Sequence, residues 1–162
     1  MGCSPADRDA VAAQLGRAPR AIDSVAARCA CGLPAVVRTL PRLPDGTPFP
    51  TTYYVTCPRL TSLIGSLEAS GLMREMESRL AEDEDLRSRY ARAHERYLAD
   101  REALGTVAEI EGVSAGGMPS RVKCLHVHVG QSLACGPGVN PFGDEVLARI
   151  GEWAAAGVCV DV

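Results

Sequence analysis

No block of Lys or Arg stands out in these 162 residues, and the formal net charge is −3. The electrostatic footprint of a duplex nucleic-acid binder is therefore missing. Also missing is any window near the roughly 18 apolar residues that a bilayer-spanning helix needs. The opening segment MGCSPADRDAVAAQLGR has neither a basic nor an apolar stretch, so no secretory signal is expected. Met1-Gly2-Cys3 invites an acylation reading, but Ala6 stands where that pattern wants Ser or Thr. These absences predict a cytoplasmic protein. An even cysteine count is lacking too. Seven cysteines in a reducing compartment argue against a disulfide framework.

The hydrophobic fraction of 46% and charged fraction of 23% are those of an ordinary globular chain. Its length suits one domain, residues 1–162, with a core of useful size. Ser4, Pro5 and Asp7 form the start signal of a first helix, which Gly16 stops. Short β-prone runs follow at Ala21–Arg28, Ala35–Leu40 and Thr51–Thr56. Between the last two, PRLPDGTPFP forbids helix and forces an extended connection. After Pro58 the apolar period becomes helical through Leu60, Leu63, Ile64 and Leu67, ending near Gly71. Residues Met73–Leu104 read as a helical hairpin or one broken helix, with His94 on a solvated face of no chemical consequence. Gly105–Pro119 reads as a loop, Asp144–Ala155 as a last helix and Val158–Val162 as a closing edge strand. The expected class is α+β. Residues 1–57 supply a helix and a small, mostly antiparallel sheet, and residues 58–162, mainly helical, pack against it.

Two long motifs carry a resemblance. CACGLPAVVRTLPRLPDGTPFPTTYYVTCPRL and MPSRVKCLHVHVGQSLACGPGVNPFGDE are similar to the DUF501 proteins of actinobacteria, and the likeness extends over nearly the whole chain. It implies a single-domain layout and an actinobacterial origin, and it brings no activity with it. It also singles out Cys124-Leu125-His126 ahead of His128.

The stretch RVKCLHVHV, residues 121–129, places one thiol and two imidazoles within five positions. As a strand it would set Cys124, His126 and His128 on one face. As a helix capped by Ser120 it would run to Cys135 before Gly136-Pro137-Gly138, with Cys124 and His126 roughly opposite each other. The length and the glycine stop favour the helix. Cys124 then joins Cys29, Cys31 and Cys57 from the sheet region as a four-thiolate metal set, for zinc or alternatively an iron–sulfur cluster, with His126 as substitute ligand. The same thiols also suit plain burial, as Cys135 and Cys159 do, while Cys3 reads as a frayed end. A catalytic reading takes Cys124 as nucleophile with His126 beside it. Basic groups add an anion reading: Arg38 and Arg42 flank the proline-rich connection, and Arg121 and Lys123 flank Cys124. The glycine-rich GPGVNPFGD, with Asp45, Asn140 and Asp144 as loop groups to test, could serve that site, but it lacks the Lys-Ser/Thr of a phosphate loop. Two functions follow. One is a metal-binding, regulatory module that engages a protein partner. The other is an enzyme acting on a phosphorylated small molecule.

Overall fold

The structure is a computed structural model that describes residues 2–154 and 157–162. It is an α+β fold. Helix α1 (Pro5–Leu15) precedes a hairpin of β1 (Ile22–Arg28) and β2 (Pro34–Thr39), and β3 (Tyr53–Val55) completes an antiparallel sheet in the order β1-β2-β3. Helices α2 (Pro58–Glu68), α3 (Leu72–Glu82), α4 (Glu84–Glu102), α5 (Leu125–Cys135) and α6 (Pro141–Ile150) follow.

Local chemistry explains most boundaries. Ser4 and Asp7 close a reciprocal capping box on α1, and Gly16 ends it in the left-handed conformation. Asp7 also binds Arg28 at 2.8 Å, tying α1 to β1, and that guanidinium chiefly holds the carboxyl down at about 2. The expected helical hairpin is two helices broken at Asp83, whose carboxylate accepts the Leu86 N–H and so starts α4. The last helix differs from expectation at both ends. Asn140 caps it and Pro141 opens it, three residues before Asp144, while Gly151 at φ 71° closes it after Ile150. Ala155, its expected final residue, lies outside the described residues. The expected edge strand at Val158–Val162 does not form: the described tail is irregular and pairs with no strand.

The sheet is covered on both sides, which is why β2 is buried almost throughout. Alternation divides its side chains. Val37 joins Ile22 and Val11 of α1 in a small cluster, while Val36 joins Tyr53, Val55 and α5 in the main core. Helix α5 is the spine of that core. It approaches β3 so closely at Gly130 that a Cβ there would stand 2.7 Å from the Tyr53 carbonyl oxygen. Helix α6 approaches it from the other side at Gly143, where a Cβ would overlap the His128 carbonyl and the Ser132 hydroxyl.

Helix α4 presents Leu86, Tyr90, Ala93, His94, Tyr97 and Arg101 to the interior. His94, expected on the surface, is therefore buried, and its Nδ1 lies 2.7 Å from the Ser114 hydroxyl. Its position four residues after Tyr90 and three before Tyr97 puts it on the inward face. The Tyr97 hydroxyl accepts the N–H groups of Thr52 and Tyr53 at the start of β3. Burial raises that phenol to about 12 against the pull of those donors. Arg101, only 4% exposed, donates to the carbonyls of Pro50, Ile110 and Ser114 and thereby fastens the long loop to α4. Arg101→Met keeps the aliphatic stem but strands those carbonyls, so it is expected to cost about 2 kcal/mol in chemical denaturation. A change below about 0.5 kcal/mol would show that the carbonyls find water instead.

Candidate metal centre

Helix α5 starts later than expected. Residues 121–124 are not helical, and Cys124 itself is the N-cap, extended at φ −157° and ψ 131°. It supplies no side-chain cap of its own. The cap comes from Glu68, the last residue of α2, whose Oε2 accepts the Leu125 N–H at 2.8 Å. A carboxylate there complements the positive end of the helix.

The late start also settles the relation of Cys124 to His126. With the thiol on the last extended residue and the imidazole on the second helical one, the 100° step of a regular helix does not separate them. Cys124 Sγ lies 3.8 Å from His126 Nδ1, and the same Nδ1 lies 3.2 Å from Glu68 Oε2. The three ligating atoms lie within 4.8 Å of one another. All three residues are partly buried. The Cys124 thiol is the largest influence on the His126 ring and shifts it toward the protonated form. Burial opposes that shift, and the Glu68 charge adds to it. The helix reading set Cys124 and His126 roughly opposite each other, and the extended Cys124 corrects it: the two side chains meet, as the catalytic reading had them, while the third group, Glu68, was missed. It stands 57 residues from Leu125 in the chain, in a run of ordinary helical spacing, so no local signal marks it.

Cys124 and His126 line a cleft of about 620 Å³ between α2, α5 and the sheet. Its polar lining includes Thr51, Tyr54, Thr56 and Thr61. The buried Thr56 hydroxyl and the Gln14 amide oxygen, both on this lining, have no hydrogen-bond partner among the described residues. Among the described residues, no Arg or Lys borders the cleft.

The expected four-thiolate set does not assemble. Among the described residues, the only group of three or more His, Cys, Asp or Glu within mutual ligating distance is Glu68, Cys124 and His126. Cys57 is the N-cap of α2 and Glu68 its last residue, so about 16 Å of helix at 1.5 Å per residue separates the two ends. Cys29 and Cys57 are core thiols at the sheet end, and Cys31 Sγ lies 3.9 Å from Cys159 Sγ.

The expected anion site is dispersed as well. Arg38 pairs with Asp23 at 2.7 Å, Arg42 with Glu109 at 2.9 Å and Arg121 with Glu77 at 3.0 Å. Lys123 is exposed and makes no ion pair among the described residues. The glycine-rich stretch spends its N–H groups internally: Gly138 donates to Asp144, and Phe142 and Gly143 donate to Asn140. Asp45 accepts the Thr47 N–H within its own turn. These loop groups and the four bases do not converge on one site.

His128 points the other way, into the core. It is fully buried, and burial pushes it down to about 4, so the ring is neutral near pH 7. Asn140 Nδ2 donates to His128 Nδ1 at 3.0 Å, which leaves the ring proton on Nε2, 3.1 Å from the Tyr90 hydroxyl. Tyr90 donates onward to the Arg121 carbonyl, and Asn140 also donates to Gln131 Oε1. This network is structural: every member finds a partner inside the core.

Fold and site together define an α+β domain with a Glu–Cys–His cluster at the mouth of a cleft. The chain belongs to the family described as a protein of unknown function, DUF501, whose family model matches residues 25–148. No curated protein and no solved structure matches it. Among the described residues, no helix is long and apolar enough to cross a membrane.

Proposed function

We propose that this protein is a metal-binding module that holds one divalent ion, zinc by preference, through Cys124 Sγ, His126 Nδ1 and Glu68 Oε2. The observation that carries this reading is the convergence of those three atoms at the head of α5. One sulfur, one nitrogen and one oxygen donor suit zinc. Three protein ligands leave a fourth position, as in sites where the ion meets water or a substrate rather than a closed structural cage. That position would face the cleft. An iron–sulfur cluster finds too few thiols here.

Two alternatives lose support for stated reasons. In a thiol nucleophile activated by a histidine and an acid, the thiol and the acid sit on opposite ring nitrogens. Here both approach Nδ1. A phosphorylated ligand needs cationic partners, and among the described residues the cleft has hydroxyls and aromatic rings but no guanidinium or ammonium on its wall. An uncharged ligand that offers one donor atom to the ion, from a small molecule or a partner's side chain, fits this wall better.

Elemental analysis of the purified protein should find about one zinc per chain. Cys124→Ala should weaken zinc binding by more than the roughly 10–100-fold that outer-sphere changes cause. Cys29→Ala should leave the affinity unchanged. Full zinc retention in Cys124→Ala would remove the proposal.

A further inference from the structure

A second thiol site lies at the opposite end of α2, apart from the cluster above. The tight turn Cys29-Ala30-Cys31-Gly32 joins β1 to β2, and the chain's tail returns to it 128 residues later. Cys31 Sγ and Cys159 Sγ stand 3.9 Å apart and both are partly accessible. Arg59, near the start of α2, donates to the carbonyls of Gly157 and Val158 and holds the tail against the body. Gln14 of α1 donates from Nε2 to Cys159 Sγ at 3.6 Å, and the same residue lines the cleft. Cys29 and Cys57 are nearly or fully inaccessible, at 4% and 0% exposure.

We propose that Cys31 and Cys159 form a reversible redox pair that locks the C-terminal tail onto the β1–β2 turn and α1. The oxidant is a low-molecular-weight disulfide. The Cys31 thiolate attacks one of its sulfurs, forming a mixed disulfide and releasing one thiol. The Cys159 thiolate, after losing its proton, attacks the Cys31 sulfur, closes the protein disulfide and releases the second thiol. Two protein thiols are thus oxidised by two electrons, and one external disulfide is reduced to two thiols. An excess of free thiol runs the sequence backwards.

The roles of the two sulfurs follow from their surroundings. Burial acts to raise the Cys31 thiol, but the Leu33 and Cys159 N–H groups and the neighbouring Cys29 and Cys159 thiols outweigh it and draw it down to about 7. A thiol near ambient pH is the better attacking group. Burial is the main reason that Cys159 moves the other way, which suits a resolving thiol that reacts only after Cys31 has been engaged.

The test treats the full-length protein with oxidised glutathione, alkylates the remaining thiols and maps the peptides by mass spectrometry. The wild type should lose two hydrogens and two of its seven alkylatable cysteines, with one cross-linked peptide joining Cys31 to Cys159. Cys159→Ser should stop at the mixed disulfide, carrying one glutathione on Cys31. Cys31→Ser should remain fully reduced at Cys159. Because the bridge closes a long loop, the unfolding midpoint of the wild type should rise by roughly 5–10 °C on oxidation and return with added thiol. A Cys29–Cys31 bridge, glutathione confined to Cys3 or Cys124, or protection of Cys31 and Cys159 by bound zinc would each overturn the proposal. Zinc content at Cys124 is a separate readout and does not decide this one.

Discussion

Gly143→Ala is expected to lower the unfolding free energy by about 4 kcal/mol or more, or to prevent folding outright. The reason is backbone, not conformational freedom. A Cβ at 143 overlaps the His128 carbonyl of the facing helix, an atom that cannot rotate away as a side chain could. Relief would require α6 to move off α5, uncovering Phe142 and Val146, both fully buried. Since domains of this size are stable by only about 5–15 kcal/mol, the loss would be visible in any equilibrium unfolding curve. Gly65→Ala is the matched control. Nothing lies within 4 Å of a Cβ there, and α2 is regular around it, so removing a helical glycine should stabilise by up to about 1 kcal/mol. Equal effects at the two positions would mean that α5 and α6 are not in contact as described.

Asn140→Ala is expected to cost about 3–7 kcal/mol. Asn140 is fully buried and acts at two levels at once. Its Oδ1 accepts the Phe142 and Gly143 N–H groups as the cap of α6, a role worth about 1 kcal/mol. Its Nδ2 satisfies His128 Nδ1 and Gln131 Oε1, both enclosed in the core. Alanine strands those two acceptors, each at a penalty of about 1–3 kcal/mol. Asn140→Asp separates the two contributions, because it keeps the cap but replaces the donor with acceptors. It should be nearly as destabilising as Asn140→Ala. If the Asp variant is as stable as wild type, the donation to His128 and Gln131 is not what matters.

Much of the fold could be read from local pattern, because local physics decides it. The three strands stand out as short β-branched or aromatic runs fenced by Pro and Gly, and Ser4 with Asp7 announces α1. The errors arise where a signal has two meanings. Asn140-Pro141 in a glycine-rich stretch reads as a turn, yet the same pair is a cap and a first helical residue, so α6 begins earlier than expected. His94 among charges reads as solvated, although its spacing from Tyr90 and Tyr97 places it inward.

The site was half legible for the same kind of reason. Cys124 and His126 stand two residues apart and are both candidates from sequence, but a regular helix sets them on opposite sides, and only the extended Cys124 at the head of α5 lets them meet. Glu68 enters only because α2 ends where α5 begins, a tertiary fact with no trace in spacing. The expected thiol set failed through long-range placement too: Cys57 starts the helix that Glu68 ends, and the tail delivers Cys159, not Cys124, to the neighbourhood of Cys31.

A crystal structure of the zinc-soaked protein, with the ion located by its anomalous scattering, tests the central claim most directly. One ion is expected at the head of α5, about 2.3 Å from Cys124 Sγ and about 2.0–2.2 Å from His126 Nδ1 and a Glu68 oxygen, with its fourth ligand in the cleft. Zinc held by Cys29, Cys31, Cys57 or Cys159 instead, or an ion-free Glu68–Cys124–His126 cluster at saturating zinc, would contradict it.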